Sequence, residues 1–118
     1  IAAPFSNYSK KWVDIFAPGM YIYSTTANNG YDGADGTSLA SPVVTGVAAL
    51  LKSYFPNLTP EQLVQLIMTS GKPVSNQVSM SDSKNKISFS SLSVSGRIIN
   101  AYEAVQMALK IEQPSRKQ

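Results

Sequence analysis

The stretch that most limits the folds open to this protein is one with no polar side. From Ser38 to Tyr54 the residues read as a single helix, with Pro42 placed in the first turn, where a proline is tolerated. Val43, Val44, Val47, Ala48, Ala49, Leu50 and Leu51 leave hardly any polar face before Lys52. A helix that is apolar all round has to be covered on every side. The apolar run Pro42 to Leu51 falls far short of the roughly 20 residues that span a bilayer, so its cover must be protein.

The rest of the sequence supplies little of that cover. Residues 12–23 predict two short strands broken at Pro18-Gly19, and the turn formers of residues 25–36 predict a loop. Pro56 stops the long helix. Thr59-Pro60-Glu61-Gln62 then opens a second one, with Thr59 as cap, Pro60 at the first helical position and Gln62 completing a capping box. Leu63, Leu66 and Ile67 give that helix a buried face, and Gly71 closes it. Residues 72–92 are serine-rich and predict a surface loop enclosing a strand at Ile87-Ser88-Phe89. A last helix is expected from Ile98 to Ile111, with Ile98, Ala101, Tyr102, Val105 and Leu109 on one stripe, and residues 112–118 form a polar tail. Two short strands and two amphipathic helices are too few to wrap the long helix. A sheet supplied by residues preceding Ile1 is therefore expected. The 118 residues are enough for one domain, yet only 14% are charged, against about 25% in an ordinary soluble domain, which also points to surface meant to be covered.

Several function classes drop out. The net charge is +3, with Lys110, Arg116 and Lys117 near the end and no basic stripe interleaved with aromatics, so nucleic acid is not an expected partner. There is no cysteine, hence no disulfide framework or thiolate metal site. There is no histidine, which removes the commonest general base and the commonest metal ligand together. No signal peptide stands at Ile1, which says nothing about export if further residues precede it. Asn7-Tyr8-Ser9 and Asn57-Leu58-Thr59 match the glycosylation sequon, a short pattern that arises often by chance. Asp32 and Asp35 are loop carboxylates without the spacing of a calcium loop, so no metal site is assigned to them.

Chemistry concentrates at Gly36-Thr37-Ser38-Leu39-Ala40-Ser41-Pro42, where the loop meets the long helix. A helix N-terminus offers unpaired N–H groups and the positive end of a dipole, both suited to a developing oxyanion. A glycine just before the serine lets a substrate backbone approach. On these grounds alone Ser38 reads first as a helix cap, the commoner use of serine at such a place.

The wider pattern weighs for the nucleophile. The seven-residue motif resembles the nucleophile motif of the subtilases, the subtilisin-like serine peptidases, with Leu39 in place of a methionine. Phe5-Ser6-Asn7-Tyr8-Ser9 and Val13-Asp14-Ile15-Phe16-Ala17-Pro18-Gly19 resemble two further family segments in the expected order. The Leu58-Thr59-Pro60-Glu61-Gln62 helix start and Gly96-Arg97-Ile98-Ile99-Asn100-Ala101 follow, so the resemblance covers residues 4–109. It implies an α/β fold, the C-terminal portion of a subtilisin-like three-layer architecture with a mainly parallel sheet between helices. Residues 1–111 would then be the last part of a catalytic domain.

By the same resemblance, Ser38 is the nucleophile of a serine endopeptidase and its N–H an oxyanion donor, with Thr37 supporting that hole. Asp35 and Gly36 lie on the substrate-binding side, the segment from Tyr31 to Asp35 lining the leaving-group side of the cleft. The family's aspartate, histidine and oxyanion asparagine motifs do not occur in this sequence. A serine hydroxyl is a poor nucleophile without a base. Lys52 is about 21 Å along the same helix and cannot serve; Lys10, Lys11 and Lys72 carry no mark of such a role. The chain alone is thus expected to be inactive. The expected partners are a peptide or protein substrate and the upstream part of the same catalytic domain, with no membrane span. No cofactor is assigned, although the family often binds calcium elsewhere in the fold. The family further implies a secreted or cell-envelope bacterial protein. The rival from another class is a non-catalytic structural or binding module derived from a subtilase.

Overall fold

The computed structural model describes residues 2–79 and 86–112. Residues 80–85 of the serine-rich stretch, and the polar tail beyond Glu112, lie outside the described residues.

The first strand, β1 (Ile22–Thr26), pairs antiparallel with β2 (Gly30–Ala34), in a register that sets Ile22 against Ala34 and Thr26 against Gly30. This corrects two expectations: residues 12–21 hold no strand, and residues 25–34 are mostly a hairpin that turns at residues 27–29, with Asp35 and Gly36 linking it to the next helix. Asn28 and Asn29 make the reversal possible. Both adopt left-handed backbone, φ 60° and 58°, a region asparagine tolerates better than most residues. Stacked rings of Tyr23 and Tyr31, 6.0 Å apart, join the two strands on one face.

Helix α1 runs from Thr37 to Tyr54 and α2 from Pro60 to Ser70. The predicted capping box is present, with Gln62 N donating to Thr59 Oγ1 at 3.3 Å and Thr59 N donating to Gln62 Oε1 at 2.8 Å. Short strands β3 (Lys72–Pro73), β4 (Gln77–Ser79), β5 (Lys86–Ser88) and β6 (Arg97–Ile98) follow, with β4 pairing β5 and β3 pairing β6, both antiparallel.

Helix α3 spans Ala101–Glu112. It starts three residues later than expected, because the β-branched Ile98 is held in β6 and Asn100 caps the helix, accepting from Glu103 N at 3.2 Å. Its buried face also differs from the expected stripe. Ala104 and Ala108 are fully buried, whereas Tyr102 is 69% exposed. Small alanines let α3 lie close against α2, with Val105 and Met107 half-buried beside them and Tyr102, Leu109 and Ile111 exposed.

Parallel alignment enters through the segment before the hairpin. Val94 N donates to Val13 O at 2.7 Å, Ser95 N to Asp14 O at 3.0 Å, Phe16 N to Arg97 O at 3.1 Å and Ile99 N to Phe16 O at 2.8 Å. Residues 13–16 therefore run alongside residues 94–99 in the same direction, with Phe16 and Ile98 in a parallel bridge. Lys10 Nζ clasps the same stretch, donating to the carbonyls of Ser90, Ser93 and Val94 at 2.9, 3.0 and 3.2 Å.

The main core joins the three helices: Leu51, Phe55, Leu58, Leu66, Ile67, Ala104 and Ala108 are all buried. A second cluster gathers Val78, Phe89 and Leu92, with the Phe16 ring 5.0 Å from that of Phe89. Helix α1 feeds the main core from one side only. Val44, Val47, Ala48 and Leu51 turn inward, while Pro42, Gly46, Ala49 and Leu50 form an exposed strip along the other side. No described residue covers that apolar strip, the place for which a sheet is expected.

Candidate active site

Ser38 is the second residue of α1, and the structure separates it from the capping role. Gly36 is the N-cap residue, and no hydrogen bond from a side group caps this helix. The Ser38 hydroxyl is exposed and accepts no backbone N–H among the described residues. It leans back over Gly36, where an added Cβ would stand 3.1 Å from Ser38 Oγ. A side group at position 36 would require the Ser38 hydroxyl to shift by a few tenths of an ångström.

The first backbone donors of α1 are divided. Leu39 N and Ala40 N turn to the Gly36 carbonyl, at 3.1 and 3.3 Å. The N–H groups of Thr37 and Ser38 have no backbone partner among the described residues, leaving two donors beside the hydroxyl at the positive end of the helix. Pro42 falls in the second turn, since α1 begins at Thr37, and with no N–H it gives the Ser38 carbonyl no helical donor.

The loop that presents Ser38 is strapped to the segment after Pro18. Gly36 N donates to Gly19 O at 2.8 Å, and Tyr21 N donates to Asp35 Oδ1 at 2.5 Å. Gly19 has no room for a larger residue: a Cβ there would lie 2.8 Å from Gly36 O and 3.1 Å from the Ala40 methyl. Sequence reasoning read Pro18-Gly19 only as a strand break and missed this contact. The signal was the glycine itself, but its partner lies seventeen residues further along the sequence.

The sequence-predicted site residues are thus adjacent, with Asp35, Gly36, Thr37 and Ser38 consecutive at the hairpin–helix junction. Asp35 spends one carboxylate oxygen on the strap, and Asp32 Oδ1 accepts from Gly33 N at 2.7 Å. Among the described residues no three acidic, histidine or cysteine residues come together. An open groove of about 530 Å³ runs beside the junction, between Phe5, Ser6, Phe16 to Met20 and the inner side of Thr37, Ala40 and Val44. Ser38 stands outside its wall.

Lys10, Lys11 and Lys52 are engaged elsewhere. Lys10 is clasped by its three carbonyls. Lys52 Nζ donates to Pro56 O at 2.6 Å and Leu58 O at 2.8 Å. Lys11 Nζ lies 4.7 Å from the centre of the Trp12 ring. Lys72 borders a different hollow, with Ser70, Arg97 and Asn100. None is hydrogen-bonded to Ser38.

The sequence pattern of the subtilase family matches residues 1–96. This chain belongs to the subtilases. The subtilase chain is 34% identical over 109 residues to subtilisin-like protease 3 of Plasmodium falciparum, a match that takes in 92% of this chain and 13% of that protein. It is 46% identical over 65 residues to a thermostable alkaline protease of Halalkalibacterium halodurans, covering 55% of this chain and 18% of the relative. Among solved structures, one describing the assembly of the subtilase cytotoxin SubAB superposes with a TM-score of 0.72 at 26% identity, over 90% of this chain and 29% of that one. The fold is therefore α/β and subtilase-like, as the resemblance implied. The chain spans less than a fifth of the length of these two curated relatives. Those relatives come from a bacterium and from Plasmodium, so the family does not point to a bacterial source in particular. No helix among the described residues is long and apolar enough to cross a membrane.

Proposed function

We propose that Ser38 is the nucleophile of a subtilisin-type endopeptidase that hydrolyses peptide bonds through an acyl-enzyme. The observation that carries this reading is the Ser38 hydroxyl, exposed and not used as a cap, with the Thr37 and Ser38 N–H groups beside it lacking a backbone partner among the described residues. The hydroxyl oxygen adds to the scissile carbonyl while a base removes its proton. The resulting oxyanion accepts from Ser38 N, with Thr37 supporting the hole, and collapse expels the amine with that proton. Water then cleaves the ester by the same route. Asp35 and Gly36 flank the leaving-group side, Gly36 leaving space for the substrate backbone.

The base and its orienting carboxylate belong to residues outside this sequence, which has no histidine. The same upstream part of the catalytic domain supplies the cover for the outer strip of α1, and this chain alone is inactive. The family membership supports a secreted or envelope-bound protein acting on peptides or proteins.

Treatment with a serine-reactive fluorophosphonate, followed by peptide mass spectrometry, tests the assignment. The chain alone should remain unlabelled. A longer protein containing the histidine and aspartate motifs should gain one adduct, at Ser38, and lose it in Ser38→Ala. An adduct on another serine, or none in the longer protein, overturns the assignment and favours a non-catalytic module.

A further inference from the structure

We propose that Asn29 is a site of spontaneous covalent modification, its side-group amide nitrogen being displaced by the backbone nitrogen of Gly30. The inference is independent of the function proposed for Ser38. Three Asx-Gly pairs fall within eight residues here, Asn29-Gly30, Asp32-Gly33 and Asp35-Gly36, and the structure treats them differently.

At Asp35-Gly36 both reacting groups are engaged, the carboxylate with Tyr21 N at 2.5 Å and Gly36 N with Gly19 O at 2.8 Å. At Asp32-Gly33 the glycine N–H is directed to the Asp32 carboxylate oxygen at 2.7 Å, and a carboxylate carbon is a poor acceptor of a nucleophile. Asn29 has neither restraint. Its neutral amide is exposed and makes no hydrogen bond among the described residues. Gly30 N makes a long bond to Ala27 O, at 3.4 Å, and Gly30 carries no Cβ to obstruct attack.

The left-handed backbone at Asn28 and Asn29 costs free energy for any non-glycine residue, and the bond from Gly30 N to Ala27 O across the turn is long. The reaction needs this turn to open far enough for Gly30 N to reach Asn29 Cγ. The new bond from Gly30 N to Cγ forms as the bond from Cγ to Nδ2 breaks; Gly30 N gives up its proton and ammonia leaves, producing a cyclic imide. Water then opens either imide carbonyl, giving aspartate or isoaspartate, the latter with the backbone routed through the former side group. The other described asparagines, Asn7, Asn28, Asn57, Asn76 and Asn100, precede residues that carry a Cβ, and Asn100 also accepts from Glu103 N.

The test is incubation of the folded protein in mildly alkaline buffer, with cation-exchange chromatography and peptide mapping over time. A mass gain of about 1 Da should appear at Asn29 ahead of every other asparagine, asparagine being a thermolabile residue. It should be accompanied by a more acidic charge variant and an isoaspartyl linkage at that residue. Asn29→Gln should abolish the early variant, and Gly30→Ala should slow it about tenfold by crowding the nitrogen. A Cβ at Gly30 would also meet Thr26 Oγ1 at 2.6 Å, so Asn29→Gln keeps the test sound if the alanine variant misfolds. Conversion of a synthetic hairpin peptide while folded Asn29 stays intact would overturn the proposal, as would equal conversion at Asn7 or Asn57.

Discussion

Gly46 sits in the middle of α1 on its exposed strip, and an added Cβ would meet nothing within 4 Å. Gly46→Ala therefore costs no packing in this chain and removes the backbone freedom that makes glycine a poor helix residue. The expected gain is about 0.5–1 kcal/mol. For a domain of this size that corresponds to a rise in melting temperature of roughly 3–6 °C. In urea the midpoint should move up by about 0.5 M with an unchanged slope. Circular dichroism at two protein concentrations reads both quantities and excludes self-association as the source. Gly71→Ala is the opposing case: its Cβ would lie 2.8 Å from Arg97 Cβ and 3.0 Å from Ile98 O, so it should destabilise. A fall in stability for Gly46→Ala would refute the reasoning, because it would mean that residue 46 already faces other atoms. In a longer protein whose sheet covers this strip, the same substitution should lose its benefit or reverse sign.

Other outcomes follow from single contacts. Lys10→Met removes the shared donor of three carbonyls and should lower unfolding stability by about 2 kcal/mol in a denaturant titration. Thr59→Ala breaks the capping box and should cost about 1 kcal/mol, read by the same titration. The Glu61 carboxyl is held below its ordinary range, first by a hydrogen bond from its own backbone N–H and then by the Thr59 hydroxyl. A depressed carboxylate stabilises the fold above the unfolded-state value and loses that contribution as pH falls through the folded-state value. Glu61→Gln should flatten the stability profile across that acidic window, and an unchanged profile would reject the contact.

Where local chemistry decides the structure, the sequence could be read directly. Thr59, Pro60 and Gln62 define the start of α2 within four residues, and Gly71 caps its end. The place of Ser38 where a loop meets the long helix was legible because its motif is contiguous. The hairpin was not, because Thr25 to Asp35 is rich in turn formers and its pairing depends on two asparagines accepting left-handed backbone. Nor was the face of α3, where burial follows from how closely alanine lets α2 approach rather than from which residues are largest. The strap holding the loop before Ser38 was also hidden. It joins Gly19 and Tyr21 to Asp35 and Gly36 mainly through backbone atoms, which leave no periodic trace in a sequence.

The clasp of Lys10 on Ser90, Ser93 and Val94 joins residues eighty or more positions apart. Closing a loop of that length costs about 4 kcal/mol of conformational entropy before any of its bonds forms. The first segment consequently has nothing to dock on until the turn around residues 90–94 is in place. The order of folding is thereby biased: the three-helix core, whose contacts are closer in sequence, assembles first, and the seam between residues 9–16 and 92–99 zips last. By the same reasoning this seam opens first under stress, so its amide protons should exchange well before those of Leu51 or Leu66.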